Sequence, residues 1–164
     1  APWWLWASND LVFSPGDLDA IANLMEAADG QPLVVTYRFA VLALNRAVVQ
    51  TIGLFDEFSF HPIYFDDTDF ARRCSLAGIP IAHDSWGITE GADGFEHSVT
   101  VQTNEQLSHA NNRTWPVNEA AYIAKWGGRP SHERFDTPWD HGLPLWATRP
   151  DLDGRQQREW PTDV

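Results

Sequence analysis

Short apolar runs alternating with stretches of helical periodicity predict an α/β fold, a sheet flanked by helices. Three observations carry it: the aromatic run Trp3 to Ala7, the helical spacing of Leu18, Ile21, Ala22 and Met25, and the Val- and Tyr-rich run Leu33 to Phe39. At 164 residues the chain can bury a core, and with 43% hydrophobic and 21% charged residues it does not read as disordered.

Trp3 to Ala7 has the composition of a sheet interior and ends at Ser8, Asn9 and Asp10, polar residues in the place where strand ends build sites. The chain opens abruptly on this strand, which predicts that something normally precedes or covers it. Ser14-Pro15 opens a helix that Gly30 follows. Leu33 to Phe39 is a strand, and a helix runs from about Asn45 to Ile52, stopping at Gly53.

The aromatic stretch Phe58 to Phe65 leads into Asp66-Asp67-Thr68-Asp69, and Phe70, Cys74 and Ala77 mark the buried face of the helix these acids open, which ends at Gly78. Ile79 to Ala82 is a short strand, and Trp86 to Glu96, with three glycines, is a loop that delivers His97. Two helices are expected later, near Asn104 to Asn111 and, opened by Pro116, near Val117 to Lys125. The only boundary expected lies near Gly128, dividing a body of residues 1–128 from residues 129–164, which are rich in Pro, Arg and Trp and read as an extended arm lying on another surface.

Eleven basic against 23 acidic residues give a net charge of −12, a field that repels phosphate backbones and anionic membranes. Nucleic-acid and membrane-surface binding are thereby disfavoured. The acidity is concentrated in residues 1–100, which hold 14 acids against four Arg. Cys74, the one cysteine, excludes an intrachain disulfide framework and a Cys-rich zinc site. No apolar run approaches the roughly 20 residues of a membrane helix and no leader pattern opens the chain, so a cytoplasmic location is expected.

The strongest chemical signal is FDDTDFARR, residues 65–73, where three carboxylates within four positions need a helix N-terminus or a cation to offset their repulsion. Capping and solvation explain such a cluster as well as general-base chemistry does. Arg72 and Arg73, one turn on, are placed to pair with the acids or with phosphate, pairing being the simpler role. Asp10 beside Asn9 and Ser8 offers oxygen ligands to a hard cation. The nine tryptophans are mostly core or interface material, with Trp86 the best candidate for a sugar-facing ring. No glycine-rich phosphate loop, HExxH or nucleophile elbow occurs.

In order, SND, FSPGDLDAI, TYRFAVLALNRAVVQTIGLFDEFSF, YFDDTDFARRCSLAGIPI and FEHSVT resemble the second half of a family 2, GT-A type glycosyltransferase, and KWGGRPSHERFDTPW resembles a segment that follows the catalytic domain in some members. The resemblance covers about residues 3–140. It implies a mixed, Rossmann-like sheet and transfer of a sugar from a nucleotide-sugar donor to an acceptor hydroxyl on a glycan or protein. By the same resemblance Asp67 is the base, flanked by Asp66 and Asp69. Asp10 and His97 would bind Mn²⁺ or Mg²⁺, Ser8 and Asn9 would lie on the donor side, and Trp86, Asp56 and Glu57 on the acceptor side. Ser8 replaces the first acid of the family's DxD motif. The half that builds the family's nucleotide pocket has no counterpart here, which implies a second polypeptide that supplies it. Two other readings compete: a non-catalytic binding module derived from the same scaffold, and a carboxylate hydrolase using Asp67 with Asp10.

Overall fold

A computed structural model describes residues 3–8, 11–37, 39–61, 64–83, 89–90 and 104–148. The fold is α/β, with a mixed four-stranded sheet and helices. The chain forms two compact units, one from residues 1–49 and 79–108, the other from residues 50–78 and 109–164. Among the described residues no helix is long and apolar enough to cross a membrane.

The first unit contains β1 (Trp3–Ala7), β2 (Leu11–Val12), α1 (Asp17–Ala27), β3 (Val34–Tyr37), β4 (Val41–Asn45), β5 (Ile81–His83) and β6 (Thr89–Glu90). The main sheet has the order β1-β4-β3-β5, with β1 and β3 antiparallel to β4 and β5 parallel to β3. β4 was not expected as a strand. All five of its residues are buried, and it passes directly into α2 (Arg46–Ile52) because the Asn45 Oδ1 accepts the Val48 amide at 3.1 Å and caps the helix. The β3–β4 turn is held by Thr36, whose hydroxyl donates to the Val41 carbonyl at 2.7 Å and accepts the Phe39 amide at 2.9 Å. The expected helix after Ser14-Pro15 begins at Asp17, and its Ile21 packs on Val35, Val41 and Ala43 of the sheet. β6 falls inside the stretch expected to be loop and pairs with β2. Among the described strands β1 lies at an edge of the sheet, with Trp4 41% and Trp6 55% exposed.

The second unit is built on α3 (Asp66–Leu76) and most of α4 (Glu105–Trp126). α3 follows expectation: Phe70 and Cys74 are fully buried, and Gly78, at φ 67°, ends the turn beyond it. The two helices expected around Pro116 are instead one. Proline removes a single donor, and Asn112, whose carbonyl loses it, is exposed, while the Thr114 hydroxyl donates to the neighbouring Asn111 carbonyl at 2.8 Å. Asn104 caps the helix by accepting the Gln106 amide at 3.1 Å.

The arm also differs from expectation. After Gly127, at φ 75°, residues 129–148 fold back on the second unit itself. The Trp126 carbonyl accepts the amides of Arg134 and Phe135 at 3.0 and 3.1 Å, so the returning chain satisfies the end of α4. Tyr122 donates to Glu133 at 2.5 Å, Arg72 donates to the Phe135 carbonyl at 3.0 Å, and Leu145 joins a core of Phe60, Phe65, Tyr122 and Trp126. Residues 149–164 of the expected arm lie outside the described residues.

Candidate functional site

The acid cluster opens α3 as expected, but its three carboxylates meet different surroundings. Tyr64 and Phe65 both adopt left-handed backbone, at φ 78° and 69°, and the Phe65 carbonyl accepts the Asp69 amide at 2.8 Å to start the helix. That places Asp66, Asp67 and Asp69 in the first turn, where the unpaired amides of the 11-residue helix favour negative charge.

Asp69 points into the protein and is 0% exposed. Its Oδ2 accepts from Arg73 Nε at 2.8 Å, and its Oδ1 accepts from Trp126 Nε1 and Lys125 Nζ, each at 2.8 Å. Lys125, also 0% exposed, reaches Asp56 Oδ2 at 2.9 Å. The Asp56 Oδ1 accepts the amides of Phe58 at 3.2 Å and Ser59 at 3.0 Å, and Arg73 Nη1 donates to the Ile52 carbonyl. Two carboxylates and two cations thus form a neutral buried cluster, walled by the rings of Phe60, Trp126 and Trp139 around the Lys125 ammonium. Burial alone would raise the Asp69 pKa, but Arg73 and Lys125 outweigh it and hold the carboxyl below the usual aspartate range.

These positions correct two expectations. Asp69, expected beside the reacting atoms, has both oxygens consumed by buried donors and no surface to offer a substrate. Asp56, expected on the acceptor side, is buried for the same reason, while its neighbour Glu57 is exposed. Arg73 takes the pairing role, and Arg72 turns to the Phe135 carbonyl and, at 3.5 Å, to the exposed Asp136.

Asp66 and Asp67 are half-buried at the helix start. The Asp67 Oδ1 accepts the Thr68 amide at 2.6 Å and the Thr68 hydroxyl at 3.1 Å. Burial first, and then the Asp67 charge, push the Asp66 pKa above the usual aspartate range. The cluster therefore divides into an inward anchor, Asp69, and two half-buried acids, of which Asp66 has a raised proton affinity. Cys74 is fully buried, and that burial pushes its thiol up to about 12.

Ser8, in the first unit, follows β1, and its amide donates to the Ala40 carbonyl at 2.8 Å. Asn9, Asp10, Trp86 and His97 lie outside the described residues. Among the described residues no three His, Cys, Asp or Glu side chains are grouped to hold a metal ion.

Sequence reasoning missed Lys125 and Trp126 as partners of the acids. A signal was present: Asn118, Tyr122 and Lys125 recur at helical spacing on the buried face of α4, so a lysine stands on a stripe where only a paired cation is tolerated. No family model matches the sequence, and no curated protein or solved structure is detectably similar to the chain.

Proposed function

We propose that this chain is the acceptor-side part of an inverting, metal-dependent GT-A glycosyltransferase, moving a sugar from a nucleotide-sugar donor to the hydroxyl of a glycan or protein acceptor. The observation that carries the reading is the split at the start of α3, where Asp67 keeps a half-buried carboxylate at the helix N-terminus while Asp69, two residues on, is locked into the core. A general base needs that combination of a fixed backbone and an unpaired oxygen.

Asp67 takes the acceptor hydroxyl proton as that oxygen bonds to the anomeric carbon, and the bond from that carbon to the donor diphosphate breaks on the opposite face. Asp66, with its raised proton affinity, disfavours a second full negative charge beside the base. Asp10 and His97 would supply oxygen and imidazole donors to Mn²⁺ or Mg²⁺, whose charge would offset that of the departing diphosphate. The exposed Trp4 and Trp6 on an edge strand support a second polypeptide pairing there.

The test uses the protein as isolated from its source, with any partner retained, and measures release of nucleoside diphosphate from UDP-, GDP- and dTDP-sugars in Mn²⁺. The wild type turns over at least one donor, and Asp67→Asn lowers turnover by about 100-fold or more with the fold intact. No turnover, or an Asp67→Asn variant as active as wild type, leaves the scaffold-derived binding module as the better reading.

A further inference from the structure

The acids that open α3 lie between two points that α4 holds. Phe65 is the N-cap residue of α3, yet its side chain makes no cap hydrogen bond, and both it and Tyr64 carry left-handed backbone, at φ 69° and 78°, which aromatic residues rarely adopt. Local preference therefore works against this helix start, and tertiary contacts must set it. α4 supplies them. Asn118, 2% exposed, donates from Nδ2 to the Tyr64 carbonyl at 3.2 Å, and the Trp115 ring meets those of Tyr64 and Phe65 edge to face, with centroids 4.9 and 5.0 Å away. Further on, Lys125 and Trp126 hold Asp69 at 2.8 Å. Asp66, Asp67 and Thr68 are the residues between these two points.

The two points fix different things. Asp69 is held by its side chain, inside the first turn, and that leaves the entry to the helix unset. The Tyr64 carbonyl belongs to the peptide plane joining the two left-handed residues, so its orientation fixes ψ of Tyr64 and φ of Phe65 together. A donor on that oxygen holds the strained pair, and without it the pair is free to relax toward negative φ. We propose that Asn118 is a positioning residue for Asp66 and Asp67: by holding the Tyr64 carbonyl it sets the helix start on which both acids stand. It acts through the Tyr64–Phe65 backbone and not on a reacting atom. The proposal rests on the glycosyltransferase reading only in taking Asp67 as the base, a group whose misplacement by about 1 Å costs a reaction up to about 100-fold.

Carboxyl-carbon NMR titration of the intact protein tests the proposal without substrate. Asn118→Leu keeps the branched shape and removes the donor, so the first turn of α3 loosens, Asp66 gains water, and its midpoint falls from its raised position toward the ordinary aspartate range. Tyr122→Phe, which removes the hydroxyl that donates to Glu133 further along α4, is the control and leaves Asp66 where it is. If Asn118→Leu does not fold, Asn118→Ala is read in the same way. An Asp66 midpoint that stays in place in a folded variant, or moves equally in Tyr122→Phe, overturns the proposal, as does loss of folding in both Asn118 variants, which would assign Asn118 to packing alone. Turnover reads the transferase separately. With a donor that the wild type uses, Asn118→Leu lowers kcat roughly tenfold and leaves KM for the donor unchanged, and an unchanged kcat also overturns the proposal. A protein that turns over no donor, but whose Asp66 midpoint falls in Asn118→Leu, keeps the positioning role and loses the transferase; wild-type turnover with an unmoved midpoint does the reverse.

Discussion

Asp69→Asn is expected to destabilise the second unit by about 3–5 kcal/mol, the cost of removing one partner from a buried charge cluster. The side chain keeps its shape but loses the charge that faces both Arg73 and Lys125 at 2.8 Å. Arg73 is 1% exposed and Lys125 0%, so neither cation can turn to water, and Lys125 is left with Asp56 alone. A loss of that size approaches the whole stability of an ordinary domain. Asp136→Asn is the matched control. It breaks a 3.5 Å pair whose carboxylate is 89% exposed, and it should change stability by less than about 0.5 kcal/mol. Urea midpoints from far-UV circular dichroism give the magnitudes, and hydrogen exchange across α3 and α4 localises the loss.

Gly128→Ala should cost about 3 kcal/mol, through sterics rather than charge. A Cβ there would sit 2.0 Å from the His132 carbonyl oxygen, and that oxygen belongs to backbone that cannot rotate away. The displaced segment carries Glu133, Arg134 and Phe135, whose contacts with Tyr122 and the Trp126 carbonyl close the end of α4. Gly30→Ala supplies the comparison, because a Cβ there meets nothing within 4 Å and only its φ of 76° is unfavourable, at about 1 kcal/mol. Equal costs at the two sites would mean that the close return of the chain is not what Gly128 provides.

Local pattern carried the reading of the sequence as far as local physics reaches. α1, α3, β1, β3 and β5 announce themselves through apolar spacing and flanking Gly or Pro, and each lies within a few residues of its expected place. β4 was hidden because Val41 to Asn45 runs into Arg46 with no turn residue between, so strand and helix share one apolar stretch. Pro116 misled because its usual place is the first turn of a helix, whereas solvent beside Asn112 lets α4 run through it. The site was legible as an acid cluster and not as a division of labour. Which acid turns inward depends on Lys125 and Trp126, and Lys125 lies 69 positions from its partner Asp56, beyond any periodicity.

The division at the start of α3 sets Asp69, an anchor held ionised in the core, against Asp66, whose burial raises its proton affinity. A carboxyl-carbon NMR titration of the intact protein tests it most directly. Asp66 should titrate above the usual aspartate range, so its contribution to stability is present below its unfolded-state pKa and is lost as pH rises through the folded one. Asp69 should titrate below that range, so its contribution is full above about pH 4 and is lost as pH falls through its folded pKa, with the second unit unfolding as it protonates. Asp69 titrating with Asp66 or above it, while the protein stays folded, would contradict the account.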